Sequence, residues 1–185
     1  MASAKTVEKT IATEKKAGAN PLNPIQQYYA IKEARKNANY VIVIVHGGHE
    51  MFQLPSLRMK ETYRFFIEAG ADAVINHHQH CFSGFETYKG KTIFYGLGNL
   101  LFDHKTLRDS IWNEGYMVEL SFGASGNISF ALHPYSQCNE EPKVMLTTDT
   151  ECFDQKIAEL NDVICDTNRV GKAFEKYNSN NCKSY

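Results

Sequence analysis

The chain has 185 residues, of which 43% are hydrophobic and 22% are charged, a balance typical of one globular domain with a hydrophobic core. Its formal net charge of −1 gives no electrostatic reason to expect a nucleic acid as partner, and no apolar run approaches the roughly 18 residues of a membrane span. Five scattered cysteines without a C-x-x-C pair argue against a disulfide framework and favour reduced thiols in a cytosolic setting.

The two ends of the chain differ from the part between them. Residues 1–20 are polar and lysine-rich, and they lack the apolar stretch of a secretory signal. We expect them to be disordered. One domain is expected over residues 21–178, and residues 179–185 form a polar segment that we expect to fray.

The first half of this domain reads as alternating helices and strands. Apolar residues at helical spacing predict a helix from residue 25 to 37. The run "YVIVIV" at residues 40–45 is typical of a strand buried on both faces. A second helix is expected to begin at Pro55 and to end at Gly70, and "ADAVIN" predicts a second buried strand. Such alternation indicates an α/β fold with parallel strands.

The second half contains antiparallel and helical patterns. Residues 86–98 predict a hairpin that turns at Lys89 and Gly90. Two alternating segments within residues 115–134 predict a longer hairpin, and residues 151–177 predict a C-terminal helix with one apolar face. The expected fold is therefore α/β, with a mixed sheet and a C-terminal helix.

Histidines are concentrated at the ends of the two predicted parallel strands. His46 and His49 follow the first strand, and His77, His78 and His80 follow the second. Because parallel strands end at the same edge of a sheet, we expect the two groups to meet in space. Neutral imidazole is a common ligand of Zn, Fe and Mn. The sequence therefore predicts a site for a divalent metal, against the alternative that these are ordinary solvated loop residues.

Other residues near these histidines are candidates for supporting roles. Gly47 and Gly48 would allow close approach of a cofactor or substrate. Glu50 could orient a histidine or take part in proton transfer. In "YGLGN", Asn99 lines the pocket or caps the loop, and Asp103 either accepts a hydrogen bond from a histidine or begins a helix.

Three further residues are assigned no chemistry. Cys81 follows a strand, where a cysteine more often packs than attacks a substrate. His104 and His133 are isolated, and we expect them to be structural or exposed. The sequence contains neither a phosphate-binding P-loop nor a G-x-S-x-G nucleophile motif.

Four segments in order resemble one known family. They are "VIVIVHGGHE", the Pro and Arg that follow it, "AGADAVINHHQH" and "ETYKGKTIFYGLGNLLFD". Over about residues 17–135 they resemble the later half of CapA-like poly-gamma-glutamate capsule biosynthesis proteins, which are related to the calcineurin-like metallophosphoesterases. The resemblance implies part of an α/β/β/α sandwich.

The chain departs from the family pattern at single positions and by omission. It has Asn76 and Gln79 where the family more often has Gly and Pro, and Gly96 where Ser is frequent. The early motifs of the superfamily, an Asp-x-His, a Gly-Asp and an Asn-His, do not occur here. We therefore expect this chain to correspond to a C-terminal portion of such a domain, with at best a site for one metal.

The resemblance also implies roles for individual residues. His46, His77, His78 and His80 correspond to metal ligands, and the order of preference is His46 and His80, then His77, then His78. The expected catalytic residues are His46, Glu50 and His80. The expected contacts to a cofactor, a divalent ion such as Mn, Fe or Zn, are Gly47, Gly48 and Asn99.

The implied function is metal-dependent hydrolysis in capsule biosynthesis, acting on a phosphoester or a polyglutamate-type polymer. One alternative is a non-catalytic scaffold or assembly component of polymer export, and another is a histidine cluster that binds a small anion. We expect self-association or a missing N-terminal half as partner, and no nucleic acid. The compartment is left open, since family relatives are often found in the cell envelope.

Overall fold

The computed structural model describes residues 11–102, 104, 107, 110–124, 126–137, 144–147 and 150–181. Asp103 and the outermost parts of both expected terminal segments, 1–10 and 182–185, lie outside the described residues. The helices are α1 (Pro24–Asn37), α2 (Leu57–Ala69), α3 (Glu151–Cys165) and α4 (Thr167–Asn181), and Ile111–Asn113 forms a 3-10 turn. The strands are β1 (Ile42–His46), β2 (Ala73–His77), β3 (Phe85–Tyr88), β4 (Lys91–Phe94), β5 (Glu114–Phe122), β6 (Ile128–Gln137) and β7 (Val144–Leu146).

A four-stranded mixed sheet carries the first half of the chain. Its strand order is β1-β2-β4-β3. β1, β2 and β4 run parallel, and β3 pairs antiparallel with β4 through the hairpin predicted at Lys89 and Gly90. The parallel arrangement inferred from the alternating helices and strands is confirmed. In the register of β1 and β2, His46 stands opposite His77.

The helices of this half begin and end at the residues that capping chemistry favours. The side chain of Asn23 accepts hydrogen bonds from the first backbone amides of α1. Ser56 does the same for α2, so Pro55 lies just before the cap rather than inside the helix. Gly70 ends α2 with φ 122°, a conformation that a residue with a side chain rarely adopts.

Two apolar cores lie on opposite faces of the mixed sheet. On one face, α1 and α2 pack over a core that includes Tyr63, Phe66, Val74 and Ile93, all of them inaccessible to solvent. On the other face lies the antiparallel sheet β5-β6-β7, with a core that includes Phe82, Phe94 and Tyr116. The expected α/β fold with a mixed sheet and C-terminal helices is confirmed, and its layers run helix, sheet, sheet.

β1 differs from the prediction that it would be buried on both faces. It is an edge strand that pairs with β2, and the side chain of Ile44 in its centre is 71% exposed. The core beneath the second sheet draws Ile75 from β2, Phe85 from β3 and Phe94 from β4. Among the described residues, β1 contributes no side chain to that core, so Ile44, on the face of β1 that points towards the second sheet, stays exposed.

The C-terminal region also differs from the single predicted helix over residues 151–177. Asp166 adopts an extended conformation between α3 and α4. Its carboxylate accepts hydrogen bonds from the backbone amides of Asn168 and Arg169. This is N-cap geometry, so Asp166 starts a new helix at the point where the first one ends.

We expect the outer edge of β1 to make the chain self-associate, because no strand among the described residues pairs with that edge and an edge beside the exposed Ile44 favours pairing with another chain. Ile44→Lys should shift the population towards monomer in size-exclusion chromatography with light scattering. Ile25→Lys is the matched control, since Ile25 is 70% exposed but belongs to helix α1 and not to a strand. A monodisperse wild-type monomer would contradict the expectation.

Candidate metal site

The two groups of histidines meet at the carboxyl edge of the parallel strands. Nε2 of His46, at the end of β1, lies 3.1 Å from Nδ1 of His78, which follows β2. The ring of His78 lies 5.7 Å from that of His80, centroid to centroid. Since the parallel register aligns the ends of β1 and β2, residues more than thirty positions apart share one rim.

Three side chains at this rim have ligand atoms close enough to share one ion. Glu50, His78 and His80 each offer an atom within 4.8 Å of the others. Glu50 is exposed on the loop between β1 and α2, and both histidines are half-buried. His46 adjoins the group through His78. His77 stays on β2 opposite His46 and is not part of the three-residue group.

His80 is held in one orientation by Asn99. The amide nitrogen of Asn99 donates to the backbone carbonyls of His80 and Trp112 at 3.2 and 3.1 Å. This fixes the amide oxygen at 2.8 Å from Nδ1 of His80, so Nδ1 must carry the proton of a neutral ring. Nε2 of His80 therefore keeps the free lone pair that a metal requires.

Aromatic rings that no sequence pattern had predicted at the site pack against His80. The indole of Trp112 stacks on the imidazole at 4.6 Å between centroids with 15° between planes, and Phe102 stacks at 5.4 Å. Trp112 also donates from its ring nitrogen to the Phe102 carbonyl at 2.7 Å. His104, expected to be isolated, lies 5.4 Å from the same indole. The sequence signal available was a single tryptophan close after "YGLGN".

The backbone around the site is strained. His78 and His80 have φ values of 99° and 56°, and Met51 beside Glu50 has φ 56°. Such conformations cost non-glycine residues about 1–3 kcal/mol each and persist where surrounding contacts enforce them. One such contact is the 2.7 Å hydrogen bond from the amide of Met51 to the carbonyl of Gln79. It ties the Glu50 loop to the histidine loop.

Gly47 and Gly48 connect the site to the sheet. The amide of Gly47 donates to the carbonyl of His77 at 3.0 Å, which extends the parallel pairing past the strand ends. Gly48 has φ 125°, and a Cβ there would lie 3.0 Å from Cγ of Gln79. Gly48 therefore lies close to the Gln79 side chain, and the contact of Gly47 and Gly48 with a cofactor or substrate stays a prediction.

A buried amide underlies the rim. Asn76 is inaccessible to solvent and donates to the carbonyls of Gly47 and Tyr95 at 2.8 and 2.9 Å. It also accepts a hydrogen bond of 2.7 Å from the hydroxyl of Tyr63 on α2. One side chain on β2 thus joins the ends of β1 and β4 to the helical layer.

Burial favours the neutral form of His77 and His78. Partial burial lowers the pKa of His77 and His78, because the charged ring loses solvation, and charge on His46 lowers both pKa values further. Neutral imidazole binds a metal, whereas the protonated ring does not. His78 therefore stays neutral down to a lower pH than an exposed histidine does.

The remaining candidates lie elsewhere or are inert. His49 points towards Phe174 and Tyr177 on α4, with ring centroids 4.8 and 5.9 Å away. His133 forms an exposed hydrogen-bond contact of 2.8 Å with Glu119. Cys81 is fully buried, and this burial raises the pKa of its thiol to about 12, which makes it a poor nucleophile.

Comparison with known proteins identifies the family. A family model described as bacterial capsule synthesis protein PGA_cap matches residues 2–104, more than half of the chain. The chain belongs to this PGA_cap family. The residues matched include β1, β2 and every member of the Glu50, His78 and His80 group, so the resemblance to CapA-like proteins seen in the sequence is confirmed.

Two relatives from Bacillus share part of this chain. The capsule biosynthesis protein CapA of Bacillus anthracis is 38% identical over 97 residues, which is 50% of this chain and 24% of the relative. The PGA biosynthesis protein CapA of Bacillus subtilis (strain 168) is 33% identical over 117 residues, 63% of this chain and 30% of the relative. The PGA_cap chain thus spans less than a third of either relative. None of the helices in the described part is long and apolar enough to cross a membrane.

Replacing Asn76 by Leu should destabilise the protein strongly. The change leaves the Tyr63 hydroxyl, the buried carbonyl of Tyr95 and the partly buried carbonyl of Gly47 without this partner, and each such group costs about 1–3 kcal/mol. We expect the free energy of unfolding in urea to fall by about 3 kcal/mol or more. Tyr63→Phe removes one of the three bonds and should cost about 1 kcal/mol. Equal losses for the two variants would show that the amide does not act as a three-way junction.

Proposed function

We propose that this PGA_cap chain carries the metal-binding part of a metal-dependent hydrolase of the metallophosphoesterase type, acting in capsule biosynthesis. The observation that supports the proposal most is the meeting of Glu50, His78 and His80 within 4.8 Å, with His46 beside them. Three imidazoles and a carboxylate from two sequence-distant loops are an uncommon arrangement for a surface that binds nothing.

The donor set fits a divalent ion of the first transition row. Imidazole nitrogen and carboxylate oxygen together suit Zn, Mn and Fe. We assign His80, His78 and Glu50 as ligands, with His46 as a fourth donor and His77 as an outer residue. When bound, such an ion polarises a phosphoryl or carbonyl oxygen and makes water more acidic.

The protein's own residues would prepare the site for that chemistry. Asn99 fixes the tautomer of His80, with its oxygen 2.8 Å from Nδ1, and Trp112 restricts the ring plane. His46 and Glu50 are exposed, so an ion that they help to hold would be open to a substrate approaching from solvent. Such an open rim suits a long substrate, for which we propose a phosphoester or a polyglutamate-type polymer.

A second metal would need further ligands. In two-metal sites the ions lie about 3.5–4 Å apart, and their clamp acts on both the attacking and the leaving oxygen. In the group of Glu50, His78 and His80, found among the described residues, Glu50 supplies the one carboxylate. We propose that any further carboxylates come from another part of a longer protein or from a partner chain. This agrees with the share of 24% to 30% of the relatives that the chain spans.

A scaffold role in polymer export is the second candidate. The observation that favours it is the open edge of β1, where Ile44 is 71% exposed and backbone groups are available for another strand. In that case the histidines would stabilise the rim or bind a small anion rather than a catalytic metal. The two proposals differ in what they require of His80, because only the hydrolase needs its free Nε2.

Metal binding is tested by titrating the purified protein with Mn²⁺ or Zn²⁺ in a calorimeter. We expect one ion per chain. His80→Ala should weaken binding by at least about 100-fold, because even the outer partners of a ligand are worth about 10- to 100-fold. His133→Ala is the control, since His133 is exposed and pairs with Glu119. Equal affinity in the two variants would place the ion elsewhere.

Hydrolysis is tested with a chromogenic phosphodiester, with and without Mn²⁺. The hydrolase proposal expects turnover that depends on the metal and disappears in the variant His46→Ala/His80→Ala. His133→Ala should retain the wild-type rate. Turnover no higher than that of the double variant would end the enzyme proposal and leave the scaffold proposal standing.

A further inference from the structure

The C-terminal helix α4 packs on the loop that carries Glu50. Phe174 and Tyr177, one turn apart on α4, both lie against Phe52, at 5.8 and 4.7 Å between ring centroids. They also approach His49 on the same loop. The four rings form a small aromatic cluster between α4 and the loop that carries Glu50.

One hydrogen bond from this cluster reaches Glu50 itself. The hydroxyl of Tyr177 donates to the backbone carbonyl of Glu50 at 2.9 Å. Residue 177 is 127 positions from residue 50, and α4 lies beyond residues 2–104, where the family model matches. The contact therefore joins the Glu50 loop, which lies within the matched residues, to a helix that lies outside them.

α4 is itself well anchored. Val170 in its first half is inaccessible to solvent, and Gly171 lies against Leu57 at the start of α2, where a Cβ would be 3.8 Å from the Leu57 side chain. Asp166 caps its first turn. Because these contacts already fix α4, holding the neighbouring loop against it costs little additional conformational entropy of the helix.

The Glu50 loop needs such support. Met51 adopts φ 56°, which is unfavourable for a residue with a side chain. Glu50 is exposed, so packing around its own side chain does little to orient it. The position of its carboxylate therefore depends on the backbone, and the backbone is held by Gln79 on one side and by Tyr177 on the other.

We propose that α4 is a brace for the metal site and that Tyr177 is a positioning residue, which keeps Glu50 within reach of the ion held by His78 and His80. The inference rests on the proposed metal binding. It adds that the affinity for the ion depends on a helix that contributes no ligand. Supporting partners of this kind are a general means of tuning metal sites.

The test is the Mn²⁺ affinity of Tyr177→Phe, which removes the hydroxyl and keeps the ring. We expect affinity to fall about fivefold, as for the loss of one neutral hydrogen bond. Tyr88→Phe is the matched control, because Tyr88 donates a 2.6 Å hydrogen bond to Glu68 on the surface, away from the site. In the metal-free protein, the amides of Met51 and Phe52 should exchange hydrogen faster in Tyr177→Phe than in wild type.

A double-mutant cycle shows whether Tyr177 acts through Glu50. In a Glu50→Gln background the ligand carboxylate is gone, so adding Tyr177→Phe should change the Mn²⁺ affinity by less than about twofold. A merely structural effect of the tyrosine would instead lower affinity equally in both backgrounds. That result would overturn the inference.

The outcomes separate the brace from the proposed function. Wild-type protein that binds no Mn²⁺ or Zn²⁺ would refute the metal site and the brace together. Wild-type protein that binds the ion, with Tyr177→Phe binding as tightly as Tyr88→Phe, would refute the brace alone. Unchanged amide exchange at Met51 and Phe52 would also refute it, whatever the metal result.

Discussion

The parallel pairing of β1 with β2 is the constraint on which the site depends. The register sets His46 opposite His77, and both strands then release their chains into loops at one edge. A shift of one residue would turn every side chain of β1 to the other face of the sheet. Asn76 secures the alignment, because its amide bonds to Gly47 beyond β1 and to Tyr95 beyond β4.

Two departures from the family pattern form a matched pair. Gln79 is buried, and its amide nitrogen donates to the carbonyls of Phe52 and Leu54 at 2.5 and 3.1 Å. A Cβ at Gly96 would lie 2.5 Å from Oε1 of Gln79, so the Ser that the family often has at this position would collide with it. Glycine at position 96 therefore leaves space for the Gln79 side chain. Gln79 stands where the family more often has proline, and its hydrogen bonds hold the loop that follows Glu50.

Most parts of the structure that depend on local pattern were predictable, and those that depend on distant packing were not. Periodicity and capping residues predicted α1, α2, the hairpins and the parallel strands, and topology brought His46 to His78. The break between α3 and α4 was not predicted. The exposure of Ile44 depends on where the second sheet packs, which no local pattern encodes. Trp112 was missed because its stacking on His80 needs a loop conformation, and Asp166 was missed although its capping chemistry is legible in the sequence.

The stacking of Trp112 on His80 has a practical consequence. The chain contains a single tryptophan, and its indole lies 4.6 Å from the imidazole that we assign to the ion. A cation-bound imidazole accepts an electron from an excited indole more readily, which lowers the fluorescence of the indole. The intrinsic fluorescence of the unlabelled protein would therefore report ion binding at that one ring, because the chain has no second tryptophan.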